Sequence, residues 1–299
     1  MPIDFEVERI DYVSLAGPDE LMSRQLMSPF VWQEPDDARL HMLVRAVPPN
    51  KDEQKTESGR IWYGCSGSDG VAFHMREVPS IVPGRSGKDV RGCEDPTVVR
   101  TTDGYIVLYT GVDGSGEGHM LFASGPDMMT LEKHGVALAD SKSESNVKEA
   151  TVLRDGNTWR LLYEYAHEGH SLISLTYGTG VAGPWTEQPD PFGIRKGQWD
   201  SFHLSTGPLW RGDPEMPVMF YNGADESTDW GIGWVALSPD LSRVVARSDK
   251  PLISAPTDVD GPQDIAFAAS LVDNEGTLWL YYSRNDRELR RATIRRTKG

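Results

Sequence analysis

The sequence has 299 residues, with 30 Lys and Arg set against 45 Asp and Glu, for a formal charge of −15. Such a field repels nucleic acid and anionic membrane surfaces, so neither is expected as a partner, whereas a neutral sugar stays compatible. No apolar stretch approaches the ~20 residues that span a bilayer, and 30 Gly with 20 Pro suit many short strands joined by tight turns.

The chain opens with MPIDFEVERIDY, which is acidic where a secretory leader needs a basic patch and an apolar run. A cytoplasmic location is therefore expected. The two cysteines, Cys65 and Cys93, fit a reducing compartment and read as free buried thiols, because their spacing matches no metal knuckle.

In chain order, five segments share one pattern, a polar turn followed by an apolar, aromatic-rich strand. They are DARLHMLVRAV from Asp37, DGYIVLYTGV from Asp103, GNTWRLLYEYA from Gly156, PEMPVMFYNGA from Pro214 and EGTLWLYYSRN from Glu275. A second apolar run precedes each: SPFVW, EDPTVV, KEATVL, STGPLW and AFAASLV. A third follows each: RIWYGCS, HMLFASG, SLISLTYG, IGWVALS and LRRATI. Four of the third runs lead into a turn and a short segment that reads as a fourth, outer strand. The repeats are longer than the ~40–50 residues of common propeller repeats, and the excess falls in polar loops, where it costs little.

A four-stranded sheet with two apolar faces cannot bury both alone, whereas sheets packed radially cover one another. The prediction is an all-β fold, a five-bladed β-propeller with four-stranded blades, formed by residues 1–299 as one domain. The last repeat has three strands, so the early segment FEVERI is expected to supply its fourth.

Alignment on the first strands makes Ser28, Asp95, Glu149, Thr206 and Ala268 equivalent, nearest the axis. Two carboxylates thus recur at the inner position of adjacent blades. One carboxyl can protonate a leaving oxygen while the other activates a nucleophile, and crowding raises one pKa as this requires. The alternative is structural, with each acid bracing a neighbouring blade. Just upstream lie Glu94, Lys148, His203 and Asp264. Strand alternation turns Lys148 away from Glu149 unless a bulge intervenes. Second strands align Arg45, Thr110, Glu164, Asn222 and Ser283 as another polar ring, either a site lining or a solvated rim. His167-Glu-Gly-His170 has no helix behind it and GVDGSGEG opens none, so neither a metal site nor a phosphate loop is expected, and no cofactor is implied.

The run GCEDPTVVRTTDGYIVLYTGV resembles glycoside hydrolase family 130, the β-mannoside phosphorylases and mannosidases, with their Glu-Asp-Pro-Arg strand followed by an aromatic strand. NVKEATVL, FYNGAD, WGIGWVALSPDLSRVVARSDKPLI and YYSRND resemble its later segments in order. The resemblance implies that Asp95 is the proton donor and that Arg45, Arg60, Lys148 and Asp286 line the site. Two departures stand out. Thr97 replaces the arginine of the phosphorylases' phosphate-binding set, and Asn222 replaces the histidine of Tyr-His-Gly. Losing cationic and donor groups weakens a phosphate site.

The expectation is an exo-acting, inverting glycosidase on β-mannoside-like oligosaccharides, with Asp95 as acid and Glu149 as base. Arg45, Arg60, Glu94, Lys148, His203, Asn222, Asp264 and Asp286 would bind sugar. The alternatives are a β-mannoside phosphorylase, a furanosidase like those of families 43 and 32, and a non-catalytic sugar-binding propeller. Homo-oligomerisation stays open.

Overall fold

A computed structural model describes residues 3–85, 87–139, 146–255 and 265–298. Apart from two single-turn helices, Asp19–Met22 and Lys51–Gln54, the regular structure is β-strand. The strands form a five-bladed β-propeller.

Blade 1 runs from an inner strand, Gln25–Gln33, through Leu40–Val47 and Arg60–Ser66 to Ala72–Met75, with Ser14–Ala16 added in parallel on its outer edge. Blade 2 is Gly92–Thr101, Gly104–Val112, Gly118–Gly125 and Glu132–Val136, and blade 3 is Lys148–Asp155, Thr158–His167, His170–Gly178 and Trp185–Gln188. Blade 5 places Ala266–Asn274 innermost, then Thr277–Arg284, Glu288–Lys298 and finally Ile3–Tyr12 from the start of the chain. Phe5 pairs with Arg296 in that last antiparallel ladder, so the FEVERI segment closes the ring.

Blade 4 departs from the regular pattern. Its first three strands are each broken in two, giving a small sheet of His203–Ser205, Asn222–Ala224 and Trp230–Ile232 beside one of Leu209–Trp210, Val218–Met219, Val235–Leu237 and Val244–Arg247. The breaks fall beside Gly207-Pro208, where proline offers no N–H to a ladder. A hydrogen bond from Phe220 N to the Pro208 carbonyl bridges the gap at 3.0 Å.

The packing explains why the strands read as unbroken apolar runs. Among the described residues the core divides into five clusters, and each lies between two neighbouring blades. Successive residues of one strand serve opposite interfaces. Leu161 and Tyr163 pack toward blade 2 while Leu162 packs toward blade 4. Likewise Met42 and Val44 meet blade 5 while Leu43 meets blade 2. Both thiols are free, with Cys93 buried as expected and Cys65 only half-buried. Among the described residues no helix is long and apolar enough to cross a membrane.

Ring closure can be tested at Phe5, whose ring meets Trp210, Phe220 and Trp234 edge-on at 6.0, 5.1 and 5.7 Å. Phe5→Ala leaves a cavity between blades 4 and 5, and the expected cost is about 3–5 kcal/mol. Chemical denaturation should show this as a lower midpoint with an unchanged slope. A cost under about 0.5 kcal/mol, as at a surface site, would mean the closing strand adds little.

Candidate active site

Four inner strands carry an extra residue near their axial mouths. The register slips by one between Met27 and Phe30, Glu94 and Thr97, Lys148 and Ala150, and Ala268 and Ser270. In the first three the extra residue is left-handed: Ser28 at φ 49°, Asp95 at 48° and Glu149 at 46°. Such a conformation costs an L-residue about 1–2 kcal/mol, and its recurrence aims three side chains at one point. Just before each of these bulges, and at the end of the short inner strand His203–Ser205 in blade 4, the inner strand pairs with the second polar ring. Met27 faces Arg45, Glu94 faces Thr110, Lys148 faces Glu164, Ser205 faces Asn222 and Phe267 faces Ser283.

These residues surround an open cavity of about 200 Å³ at the axis, lined by Ser28, Arg45, Asp95, Lys148, Glu149, Glu164, Trp230, Phe267, Ser283 and Asp286, among others. The bulge resolves the question of Lys148, because Lys148 and Glu149 line the same cavity despite being adjacent in sequence.

Ser28 Oγ donates to Asp95 Oδ1 at 2.8 Å, and Arg45 Nη1 lies 3.3 Å from the same oxygen. Arg45 Nη2 contacts Glu94 Oε1 at 2.7 Å, while its Nε and Nη2 donate to the Ser58 carbonyl at 3.2 and 3.0 Å. Lys148 Nζ stands 3.6 Å from Glu94 Oε2. Glu94 thus draws a cation from blade 1 and another from blade 3. Burial would raise its pKa, but Arg45 and Lys148 outweigh burial and hold it below the ordinary value.

The lining acids behave differently. Burial, then the charges of Asp95 and Glu164, push Glu149 well above the usual carboxylate range. Burial also raises Glu164, against the opposing pull of the Ser205 hydroxyl and Lys148. Asp286 is raised by burial as well, with Arg45 opposing. Of these three, Glu149 is the acid pushed furthest toward its protonated form.

Several expected binders sit elsewhere. Glu94 lies outside the lining, buried beneath Arg45 and Lys148. Arg60 also lies outside it, paired with Glu20 and Glu57 at 2.7 Å each. Asn222 is fully buried and clamps blade 4 to blade 5, donating to the Thr206 and Ala268 carbonyls and accepting from Ala268 N. Its amide has no group left to offer a sugar. His203 is likewise outside the lining, and its Nδ1 accepts from Ser171 N at 2.9 Å. Asp264 lies outside the described residues. Thr97, where the resemblance has arginine, staples blade 2 to blade 3 by donating to the Ala150 carbonyl at 2.6 Å. Among the described residues no group of three or more His, Cys, Asp or Glu is arranged to hold a metal ion.

Sequence reasoning placed Ser28, Glu164 and Ser283 in its rings without naming them as site residues, and it missed Trp230 and Phe267. Trp230 opens a third strand on the same side as the second-strand ends, opposite Ala224. That position was the available signal.

A propeller with crowded acids at its axial mouth is compatible with several functions, and comparison with known proteins narrows them. The family profile described as beta-1,4-mannooligosaccharide phosphorylase matches residues 35–296. The chain belongs to glycoside hydrolase family 130. It is 22% identical over 259 residues to a 1,2-beta-oligomannan phosphorylase of Thermoanaerobacter sp. (strain X514), covering 84% of each chain. A beta-1,2-mannobiose phosphorylase from Listeria innocua, solved with beta-1,2-mannobiose, superposes with a TM-score of 0.74 at 17% identity, over 97% of this chain and 91% of that one. A third structure comes from work on glycoside hydrolases within the family that target beta-1,2 mannosidic linkages in Candida mannan. It superposes with a TM-score of 0.74 at 19% identity, covering 90% and 84% of the two chains.

The raised Glu149 pKa has a measurable consequence. Above its ordinary value of 4.5 the folded chain keeps a proton that the unfolded chain releases, so stability falls as pH rises through that window. Glu149→Gln removes this dependence. Its melting temperature should gain on the parent's as pH rises above 4.5 and should not do so below that value. A difference that stays constant with pH would show that Glu149 ionises alike in both states.

Proposed function

We propose that the protein is an exo-acting glycoside hydrolase that cleaves β-mannosidic linkages with inversion, using water rather than phosphate. The observation that carries this is the charge balance of the cavity. Asp95, Glu149, Glu164 and Asp286 line it against Arg45 and Lys148, and both cations are already drawn to Glu94. An entering phosphate would meet four acids against two cations, each already shared with Glu94. Thr97 adds none. The cavity is smaller than the ~300–1,000 Å³ that encloses drug-sized ligands, which suits one terminal sugar and supports exo action.

Asp95 and Glu149 are the acid–base pair of this reading. The resemblance gives the donor's part to Asp95. The electrostatics favour the opposite assignment, because burial shifts Glu149 toward its protonated form while Asp95 already accepts from Ser28 and Arg45. Glu149 would protonate the glycosidic oxygen as the bond to the anomeric carbon breaks. Asp95 would take a proton from the water adding at the opposite face, which inverts the configuration. Activity should then fall as pH rises through the raised Glu149 pKa, since the acid is lost.

Phosphorolysis is the second reading, favoured by the names of the family profile and of the Thermoanaerobacter relative. Manno-oligosaccharides incubated with and without phosphate separate the two. Equal release of free mannose, with no sugar 1-phosphate, is expected, and an absolute need for phosphate would establish phosphorolysis instead.

The roles of the pair are separable by leaving group. Glu149→Gln should slow natural glycosides by roughly 10²–10⁴, the usual worth of general acid–base catalysis, and aryl glycosides with good leaving groups far less. Asp95→Asn should slow both. The reverse pattern would return the donor's part to Asp95.

A further inference from the structure

The cavity has a second kind of wall that the acid–base chemistry does not use. Trp230 from blade 4 and Phe267 from blade 5 both line it, with ring centroids 5.4 Å apart at 55°. Each is only partly buried, unlike the core rings Phe220 and Tyr221. Behind Trp230 lies His203, parallel to within 2° at 5.6 Å. The His203 ring is fixed twice over, by the hydrogen bond from Ser171 N and by Phe202 packed edge-on at 4.3 Å. Burial, then the neighbouring His170, lowers its pKa, so it stacks as a neutral ring at neutral pH.

The cavity wall is thus mixed. Asp95, Glu149 and Glu164 come from blades 2 and 3 and Asp286 from the blade 5 turn, whereas the two aromatic rings come from the inner strand of blade 5 and the third strand of blade 4. A pyranose is mixed in the same way, with hydroxyls around its rim and C–H bonds on its faces. Aromatic planes take C–H faces, and charged groups take hydroxyls.

We propose that Trp230, flanked by Phe267, is the platform on which the apolar face of the bound sugar rests, and that His203 is a positioning residue acting through Trp230. The proposal rests on the reading of the cavity as a β-mannoside site. It replaces the expected hydrogen-bonding role of His203, whose Nδ1 is occupied by the backbone.

The test measures binding rather than turnover, in full-length protein carrying Glu149→Gln. Calorimetric titration with β-1,2-mannobiose and β-1,4-mannobiose gives the parent affinity. Adding Trp230→Ala should weaken it about tenfold or more, a loss near 1.4 kcal/mol, while Trp230→Phe should keep most of it and guards against a folding defect. His203→Ala should weaken binding by a smaller factor, and His203→Phe should restore it, because a phenyl ring stacks but cannot accept from Ser171 N. Affinity of Trp230→Ala equal to the parent's would overturn the platform. Failure of His203→Phe to improve on His203→Ala would overturn the positioning role. If the parent itself binds neither disaccharide, the β-mannoside reading falls and takes this proposal with it.

Discussion

The site depends on one backbone constraint, the extra left-handed residue near the mouth of the inner strands. In a regular strand, neighbours point to opposite faces, so Lys148 and Glu149 could not share a cavity. A single inserted residue with positive φ breaks that alternation. Because the insertion recurs in blades 1, 2 and 3, Ser28, Asp95 and Glu149 converge on the axis. The strain is held by the closed ring, in which each blade is gripped on both faces by its neighbours.

Short polar staples hold the inner strands in register around the axis. Thr97 reaches the Ala150 carbonyl, Thr151 reaches that of Gly207, Thr206 reaches that of Glu149, and Ser270 reaches that of Pro29. Asn222 completes the contact between blades 4 and 5. Buried backbone groups near the axis need such partners, since an unmade hydrogen bond there costs about 1–3 kcal/mol. Asn222, expected to bind sugar, is thereby engaged in keeping the blades together. The rigidity these staples confer suits a site whose acids must be held at fixed separation.

Electrostatically, Glu94 is the pivot. Buried and ionised, it gathers Arg45 and Lys148, so the cavity above keeps its acids without fully compensating cations. Burial, together with that imbalance, shifts Glu149 toward its protonated form. It is also unwelcoming to an anion, which gives the departure at Thr97 a wider meaning than the loss of one side chain. The rings of Trp230 and Phe267 supply the aromatic part of the wall, beside Asp286.

The sequence by itself determined the blade count, the strand order and the closing role of FEVERI, because each follows from local periodicity and from turns readable one segment at a time. It also placed Asp95 beside Glu149, since both precede an apolar pair at the same point of the repeat. The tertiary structure decided how each polar group is spent. Asn222 and Arg45 are equivalent in the repeat, yet one clamps two blades and the other lines the cavity. Arg60, expected to bind sugar, is held outside the cavity by Glu57, three residues before it, and by Glu20, which lies ahead of the inner strand of blade 1. The raised pKa of Glu149 likewise depends on burial and on Asp95 from another blade, and Trp230 joins the site only because blades 4 and 5 close against the axis. Periodicity is a property of one strand, whereas pairing, burial and pKa are set by what the neighbouring blade presents.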